Sequence, residues 1–323
     1  MQLIINSHGA YLRKKDNCFV IKVDDRVQEI PAKKVSSILV STSIYLSSDA
    51  LKMALENNID VVFLDEFGNP FGRLWHSKLG STTLIRRRQL EVSCSEEGLE
   101  IVKEWIDAKL HNQINFLKKL KDKRENNDTL PSSIEKIEEL RKKISQVEGF
   151  TEENRGTLMG LEGNASKNYF DALSSVMPEK YKFKGRSRMP AEDEFNAMLN
   201  YGYGILYSKV EKACLIAGLD PYLGFLHSDN YNKKSLVFDL IEMYRDMADR
   251  TVVYLFTGKQ VRDSFFEKYS SGMTLNAEGK VVLISALNKT FDDTIRYKNR
   301  NIKNVDKIQF DCHEIAKRLI KDE

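Results

Sequence analysis

The stretch from Gly218 to Arg250, GLDPYLGFLHSDNYNKKSLVFDLIEMYRDMADR, constrains this chain more than any other. It presents one histidine, His227, and then acids at helical spacing: Asp239, Glu242, Asp246 and Asp249. At about 100° per residue these acids fall within one arc of a helix. Leu236, Val237, Leu240, Ile241, Met243, Tyr244, Met247 and Ala248 cover the opposite side, the side a helix buries. Such a stripe has two explanations. One is a solvated face, since charged residues mostly stay in water. The other is a divalent-metal site, with His227 delivered from the loop before the helix. Oxygen-rich sites with one imidazole suit Mg²⁺ or Mn²⁺, which prefer hard ligands.

At 323 residues the chain exceeds the usual single-domain size, so two domains are expected. The net charge of +3 excludes a globally basic nucleic-acid binder, and any DNA contact must come from local clusters. No apolar run approaches the ~18–20 residues that span a bilayer, and Met1-Gln2-Leu3 opens into a strand-like segment. A cytoplasmic protein without membrane contact is the expectation. Cys18, Cys94, Cys214 and Cys312 are widely separated with no CxxC pair, which argues against a zinc or redox motif and for reduced thiols.

Residues 1–80 read as β-rich. Leu3-Ile4-Ile5, Phe19-Val20-Ile21-Lys22-Val23, Ile38-Leu39-Val40 and Ile59 to Leu64 are short apolar runs between turn-forming residues. Asp49 to Glu56 reads as a small helix with Asp49 as its cap, and Phe71 to His76 as a last strand. Residues 81–323 read as long helices with 3–4 residue periodicity, and the weakly patterned stretch 77–90 marks the boundary. Lys118 to Gln146, broken near Asn126-Asn127 and Pro131, reads as a charged helical hairpin with Ile134, Ile137, Leu140 and Ile144 as its stripe. The fold class is therefore α+β: a small β-rich N-terminal domain followed by a larger all-helical one.

A second candidate acid lies upstream, in Gly160-Leu161-Glu162-Gly163-Asn164-Ala165. There Leu161, Ala165 and Tyr169 form a packing side and Glu162 sits beside it among small neighbours, where taken alone it reads as a surface glutamate rather than a ligand. Two basic clusters offer phosphate contacts. Lys180, Lys182, Lys184, Arg186 and Arg188 recur at every second position around Tyr181 and Phe183, so an extended segment would line its cations along one side. Arg86-Arg87-Arg88 is the other cluster. A solvated basic loop reads equally well from either pattern. Asn196, Asn200, Tyr201 and Tyr203 are assigned no role, since their amide and aromatic groups read equally well as packing and capping residues. His8, His76, His111 and His313 read as surface or structural, and Trp75, Trp105 and Tyr207 as core or interface aromatics.

These blocks resemble the CRISPR-associated integrase and endonuclease family, the first-numbered Cas protein, Cas one. The matching stretches are LEGNASKNYF (161–170), RSRMPAEDEFNAMLNYGYGIL (186–206), GLDPYLGFLH (218–227) and SLVFDLIEMYR (235–245), in the family's order. INSHGAYL (5–12) is similar to its first hairpin. The resemblance implies a dimerising domain over 1–80 and a catalytic domain over 81–323. Three ligands of one metal site fall on Glu162, His227 and Glu242, with Asp239 as a supporting acid. Asp246 and Asp249 have no counterpart and are expected to be solvated. The sequence departs from the family at Met189, where a proline is frequent, and at Asp246, where a proline often follows the arginine; neither change touches a ligand.

The activity implied is strand joining by a DNA 3′-hydroxyl, or cleavage by water, at a Mg²⁺- or Mn²⁺-dependent site. The partners implied are double-stranded DNA with 3′-hydroxyl ends, CRISPR repeat DNA, a second copy of the chain, and the small second Cas protein (Cas two) bridging two dimers. Two rivals remain: a non-catalytic DNA-binding assembly protein, and a metal-dependent hydrolase of small phosphoesters.

Overall fold

The computed structural model describes residues 2–57, 59–66, 68, 70–74, 83–124, 127–228, 233–270 and 272–321. Trp75 and His76 lie outside the described residues, as do 77–82 of the expected boundary. The last strand before that stretch, Pro70–Leu74, ends at Leu74, and the first helix after it begins at Thr83.

The N-terminal part holds two four-stranded sheets. In one, β1 (Gln2–Ile5), β5 (Ser37–Val40) and β7 (Asp60–Leu64) are parallel, and β8 (Pro70–Leu74) closes the edge antiparallel to β7. In the other, β4 (Arg26–Pro31), β3 (Cys18–Val23) and β2 (Tyr11–Lys15) form an antiparallel meander, with β6 (Tyr45–Leu46) parallel to β2. Helix α1 (Ser48–Glu56) is capped by Ser47, not Asp49: the Ser47 hydroxyl accepts from the Ala50 amide at 3.3 Å. The continuous apolar runs of β5 and β7 arise because that sheet is buried on both faces. Ile38, Val40 and Val61 face the core between the sheets. Leu39, Val62 and Leu64 face the helices that follow.

Those helices are α2 (Thr83–Ser93), α3 (Glu96–Lys121), α4 (Thr129–Ser145), α5 (Thr151–Ser175) and α6 (Glu194–Ala217). Ser95 caps α3, with Glu96 and Glu97 in its first turn and Lys118, Lys119 and Lys121 in its last, matching the helix dipole at both ends. The hairpin expected over residues 118–146 comprises only the last turn of α3 and all of α4. Pro131 lies in the first turn of α4 and not at a break, and Ile134, Ile137, Leu140 and Ile144 form the buried stripe. Helix α6 is apolar nearly all round because it is the central element of the helical core. It stops at Gly218, whose φ of 83° suits glycine.

The acidic stripe is not on one helix. Helix α7 (Ser235–Ile241) passes through a 3-10 turn, Glu242–Tyr244, into α8 (Arg245–Thr257). The C-terminal part is mostly helical, not all-helical. Hairpin β9–β10 (Phe266–Tyr269, Gly272–Leu275) precedes α9 (Ala277–Asp292), and β11–β12 (Thr294–Tyr297, Arg300–Lys303) precedes α10 (Asn304–Leu319). Alternation over only four residues, as in Thr294–Tyr297, is too short to stand out from helical periodicity in the sequence.

A buried ion cluster joins the two parts. Arg73 of β8 donates through Nη2 to the Ser208 carbonyl at 2.6 Å and hydroxyl at 2.9 Å on α6. It also lies 3.5 Å from Asp60 and 3.4 Å from Glu211, and Lys234 reaches Glu211 from the start of α7 at 2.5 Å. Cys214 and Cys312 are buried free thiols, Cys18 is half-buried and Cys94 exposed. No helix among the described residues is long and apolar enough to cross a membrane.

Candidate active site

Helices α3, α5 and α7 and the loop before α7 surround a cavity of about 520 Å³. Glu162, His227, Asp239 and Glu242 all line it, together with Lys184, Arg186 and Arg188. On α5, Ala165 and Tyr169 are fully buried, which turns Glu162 toward the cavity rim, where Ser166 donates to its Oε1 at 2.8 Å.

His227 is positioned by Asp239. The Asp239 carboxylate is 3% exposed and accepts from the backbone amides of Phe225 (2.7 Å), Leu226 (3.1 Å) and His227 (3.0 Å). It also meets His227 Nδ1 at 2.6 Å. With Nδ1–H donating there, a neutral imidazole keeps its lone pair on Nε2. Gly224 makes the turn possible: a Cβ there would lie 2.6 Å from the His227 carbonyl oxygen and 2.6 Å from the Ser235 Cβ.

Glu242 sits in the 3-10 turn between two cations. Arg245 donates to its Oε1 at 2.9 Å, and the Lys109 ammonium lies 2.6 Å from its Oε2. Burial would raise the Glu242 pKa, but Arg245 and Lys109 outweigh it and hold the carboxyl at about 2. Lys109, on α3, is itself 6% exposed and also donates to Glu162 Oε1. Burial depresses its pKa, and the attraction of Glu242 and Glu162 more than restores it, so it stays protonated. Nothing in the sequence marked Lys109: it is a lysine on the apolar face of a long amphipathic helix, outside every recognised block.

Asp246 and Asp249 are not solvated. The Asp246 side chain is 12% exposed and pairs with Arg250 at 2.9 Å. Asp249 is 1% exposed and accepts from Tyr203 Oη at 2.5 Å and Tyr169 Oη at 3.1 Å. Burial pushes its carboxyl up to about 6. The break at Glu242–Tyr244 ends the single arc, and the two later acids pack into the protein.

The basic run does not form one extended track. Lys180 lies in a 3-10 turn, Glu179–Tyr181, and pairs with Asp263, while Lys182 pairs with Glu179 at 2.6 Å. Phe183 is buried and stacks on Phe195 with ring centroids 4.1 Å apart. Arg186 is held by the side-chain oxygens of Asn196 and Asn200, the latter at 2.7 Å, and lies over the Phe170 and Tyr203 rings. This assigns Asn196 and Asn200 the role of fixing a cation at the cavity wall. Arg86, Arg87 and Arg88 lie on α2, outside the cavity lining. Arg88 is taken up by the Leu319 carbonyl (3.2 Å) and Glu91 (2.7 Å). His111 lies 2.8 Å from Asn115, and Trp105 is a core residue packed on Phe225.

The donors suit a hard divalent cation: two carboxylates and one imidazole nitrogen in a cavity with room for water. The spacing shows one departure. Among the described residues, no three His, Cys, Asp or Glu side chains stand close enough to hold one ion together. The two glutamates close instead on the Lys109 ammonium.

The family model described as CRISPR associated protein Cas1 matches residues 3–289. A CRISPR-associated endonuclease Cas1 of Archaeoglobus fulgidus is 36% identical over 318 residues, 94% of this chain and 91% of that protein. Among solved structures, a casposase bound to integration product superposes with a TM-score of 0.86 at 23% identity, covering 100% of this chain and 91% of that one. A chain of a Cas6-RT-Cas1–Cas2 complex gives 0.81 at 21% identity, covering 100% of this chain and 35% of that one. At those identities the two structures bear on the fold alone. With a family model spanning most of its length and a relative this similar over nearly all of it, the chain belongs to the CRISPR-associated Cas1 family.

Proposed function

We propose that this protein is a metal-dependent DNA integrase and endonuclease that inserts spacer DNA into a CRISPR array. One observation carries the reading: Glu162, His227 and Glu242, from three separate segments, line a single cavity whose wall also holds Lys184, Arg186 and Arg188. Membership of a family with endonuclease relatives supports it. Glu162, His227 Nε2 and Glu242 would hold Mg²⁺ or Mn²⁺, which when bound supplies charge neutralisation at the reacting phosphate. Asp239 fixes the imidazole tautomer and leaves Nε2 as the donor. Arg186 and Arg188 place positive charge where phosphates would lie.

In the reaction, a DNA 3′-oxygen bonds to phosphorus and the bond to the leaving 3′-oxygen breaks. One strand is joined and a new 3′-hydroxyl is released. Water in place of the 3′-hydroxyl gives cleavage.

In this reading the substrates are double-stranded DNA with 3′-hydroxyl ends and CRISPR repeat DNA. The protein works in the cytoplasm as a homodimer formed through its β-rich part, with the small Cas2 protein bridging two dimers. The complex named for Cas1 and Cas2 that shares this fold supports that partner. A small-phosphoester hydrolase would not need the cations of the cavity wall, and a non-catalytic assembly protein would not need all three candidate ligands. The test is integration into supercoiled plasmid carrying the repeat, with the Cas2 partner, with and without Mg²⁺ or Mn²⁺. Joined product that requires both the ion and a free 3′-hydroxyl is expected. Equal yields from ends blocked at the 3′ position would overturn the reading.

A further inference from the structure

Lys109 holds the place between Glu162 and Glu242 where a shared cation would sit. Its ammonium donates to Glu162 Oε1 and lies 2.6 Å from Glu242 Oε2, and the side chain is 6% exposed. The bridging is therefore built into the core and is not a chance surface contact. Two carboxylates this close repel unless a positive charge lies between them, and the ammonium meets that need. A divalent ion would need the same oxygens. One small gap does not accommodate an ammonium and a divalent ion together, since their mutual repulsion would replace the repulsion they relieve. Lys109 also lines the adjoining cavity of about 520 Å³, and its four-carbon stem can swing Nζ into that space.

We propose that Lys109 is a displaceable counter-cation: its ammonium and a divalent ion are alternative occupants of the gap between Glu162 and Glu242, and metal loading drives Nζ out into the cavity. The proposal rests on the metal-site reading above and adds a competitor to it. A lysine in this role keeps the glutamates charged and near each other, so the site is already gathered when an ion arrives. It also lowers the affinity for that ion, because the ion must displace a paired charge. Lys109 is in this sense a positioning residue, acting through the two glutamates.

Two measurements test it on the full-length protein without DNA. The first is Mn²⁺ binding by calorimetry for wild type, Lys109→Met and Glu162→Gln. Lys109→Met should bind Mn²⁺ at least ~10-fold more tightly than wild type, because a competing unit charge is gone. Glu162→Gln should bind more weakly. Equal affinities for wild type and Lys109→Met would overturn the displacement while leaving the metal site intact. No Mn²⁺ binding by either would overturn both readings. The second measurement needs no variant, which matters because Lys109→Met removes charge from the core. Acylation of wild-type lysines with a water-soluble N-hydroxysuccinimide ester, mapped by mass spectrometry, should rise several-fold at Lys109 on adding Mn²⁺. The half-exposed Lys118 should stay unchanged as a reference. Lys109 labelling that does not respond to Mn²⁺ would overturn the proposal.

Discussion

Two clusters of buried charge flank α6 and α7, and they differ in what they leave open. At the junction with the β-rich part, the Asp60, Arg73 and Glu211 side chains are 2%, 8% and 6% exposed. At the cavity, Glu162, Glu242 and His227 keep 23%, 16% and 22%. Arg73 gives its best hydrogen bonds to a backbone carbonyl and a serine hydroxyl, which tie β8 to α6. The cavity acids have cations as partners and an open side toward 520 Å³ of space. Sealed charge fixes one element to another. Charge with one face open can exchange its partner for a ligand.

The largest expected effect lies on the open side. Glu162→Gln, Glu242→Gln and His227→Ala should each lower strand joining about 100-fold or more, with DNA affinity little changed, because misplacing reacting groups by ~1 Å costs that much. Asp239→Asn should lose ~10–100-fold, since it orients His227 without touching the substrate. Single-turnover joining rates at saturating DNA measure both, and wild-type rates in any ligand variant would remove that residue from the site. The sealed cluster should respond in the other currency. Arg73→Met should destabilise folding by about 3–5 kcal/mol, the usual cost of stranding buried partners, while joining per folded molecule is preserved. Urea unfolding together with active-fraction assays tests this, and a large loss of rate with intact stability would place Arg73 in the reaction.

Asp249 sharpens the contrast within one stretch of chain. Glu242 is held at about 2 by its cations, whereas burial lifts Asp249 to about 6. A carboxyl raised above its unfolded value of ~3.9 favours folding when protonated. That contribution is present at low pH and is lost as pH rises from about 4 through about 6. Asp249→Asn should therefore be more stable than wild type at pH 7.5, by roughly 1–3 kcal/mol, with the gain vanishing near pH 4. Denaturation midpoints across that pH range decide it, and a constant difference between the two proteins would refute the assignment.

The smallest effect concerns the cavity wall. Replacing Lys184 and Arg188 by Ala should flatten the slope of log K against log salt by roughly 0.9 for each lost contact on duplex DNA. Lys180 and Lys182, already paired with Asp263 and Glu179, should contribute less to that slope when replaced. DNA-binding titrations at several salt concentrations compare the two pairs, and equal slopes would return Lys184 and Arg188 to the ordinary solvated surface.

The sequence by itself determined the two-part architecture. Alternating and continuous apolar runs before Leu74 and long 3.6-period stripes after Thr83 are local patterns, written in neighbouring residues. It also offered Glu162, His227, Asp239 and Glu242 as candidates, through blocks that resemble those of the Cas1 family; residue spacing alone left Glu162 a surface acid and the stripe a solvated face. The tertiary structure decided which acids of the stripe share the cavity. The 3-10 turn at Glu242–Tyr244 depends on how α7 and α8 pack against α3 and α6, and the ideal helical arc of the sequence cannot contain it. It decided as well that Lys109 joins Glu162 from 53 residues away, and that Asn196 and Asn200 hold Arg186. A charge's partner is set by what burial places beside it, and for residues on different helices that neighbour is fixed only when the core closes.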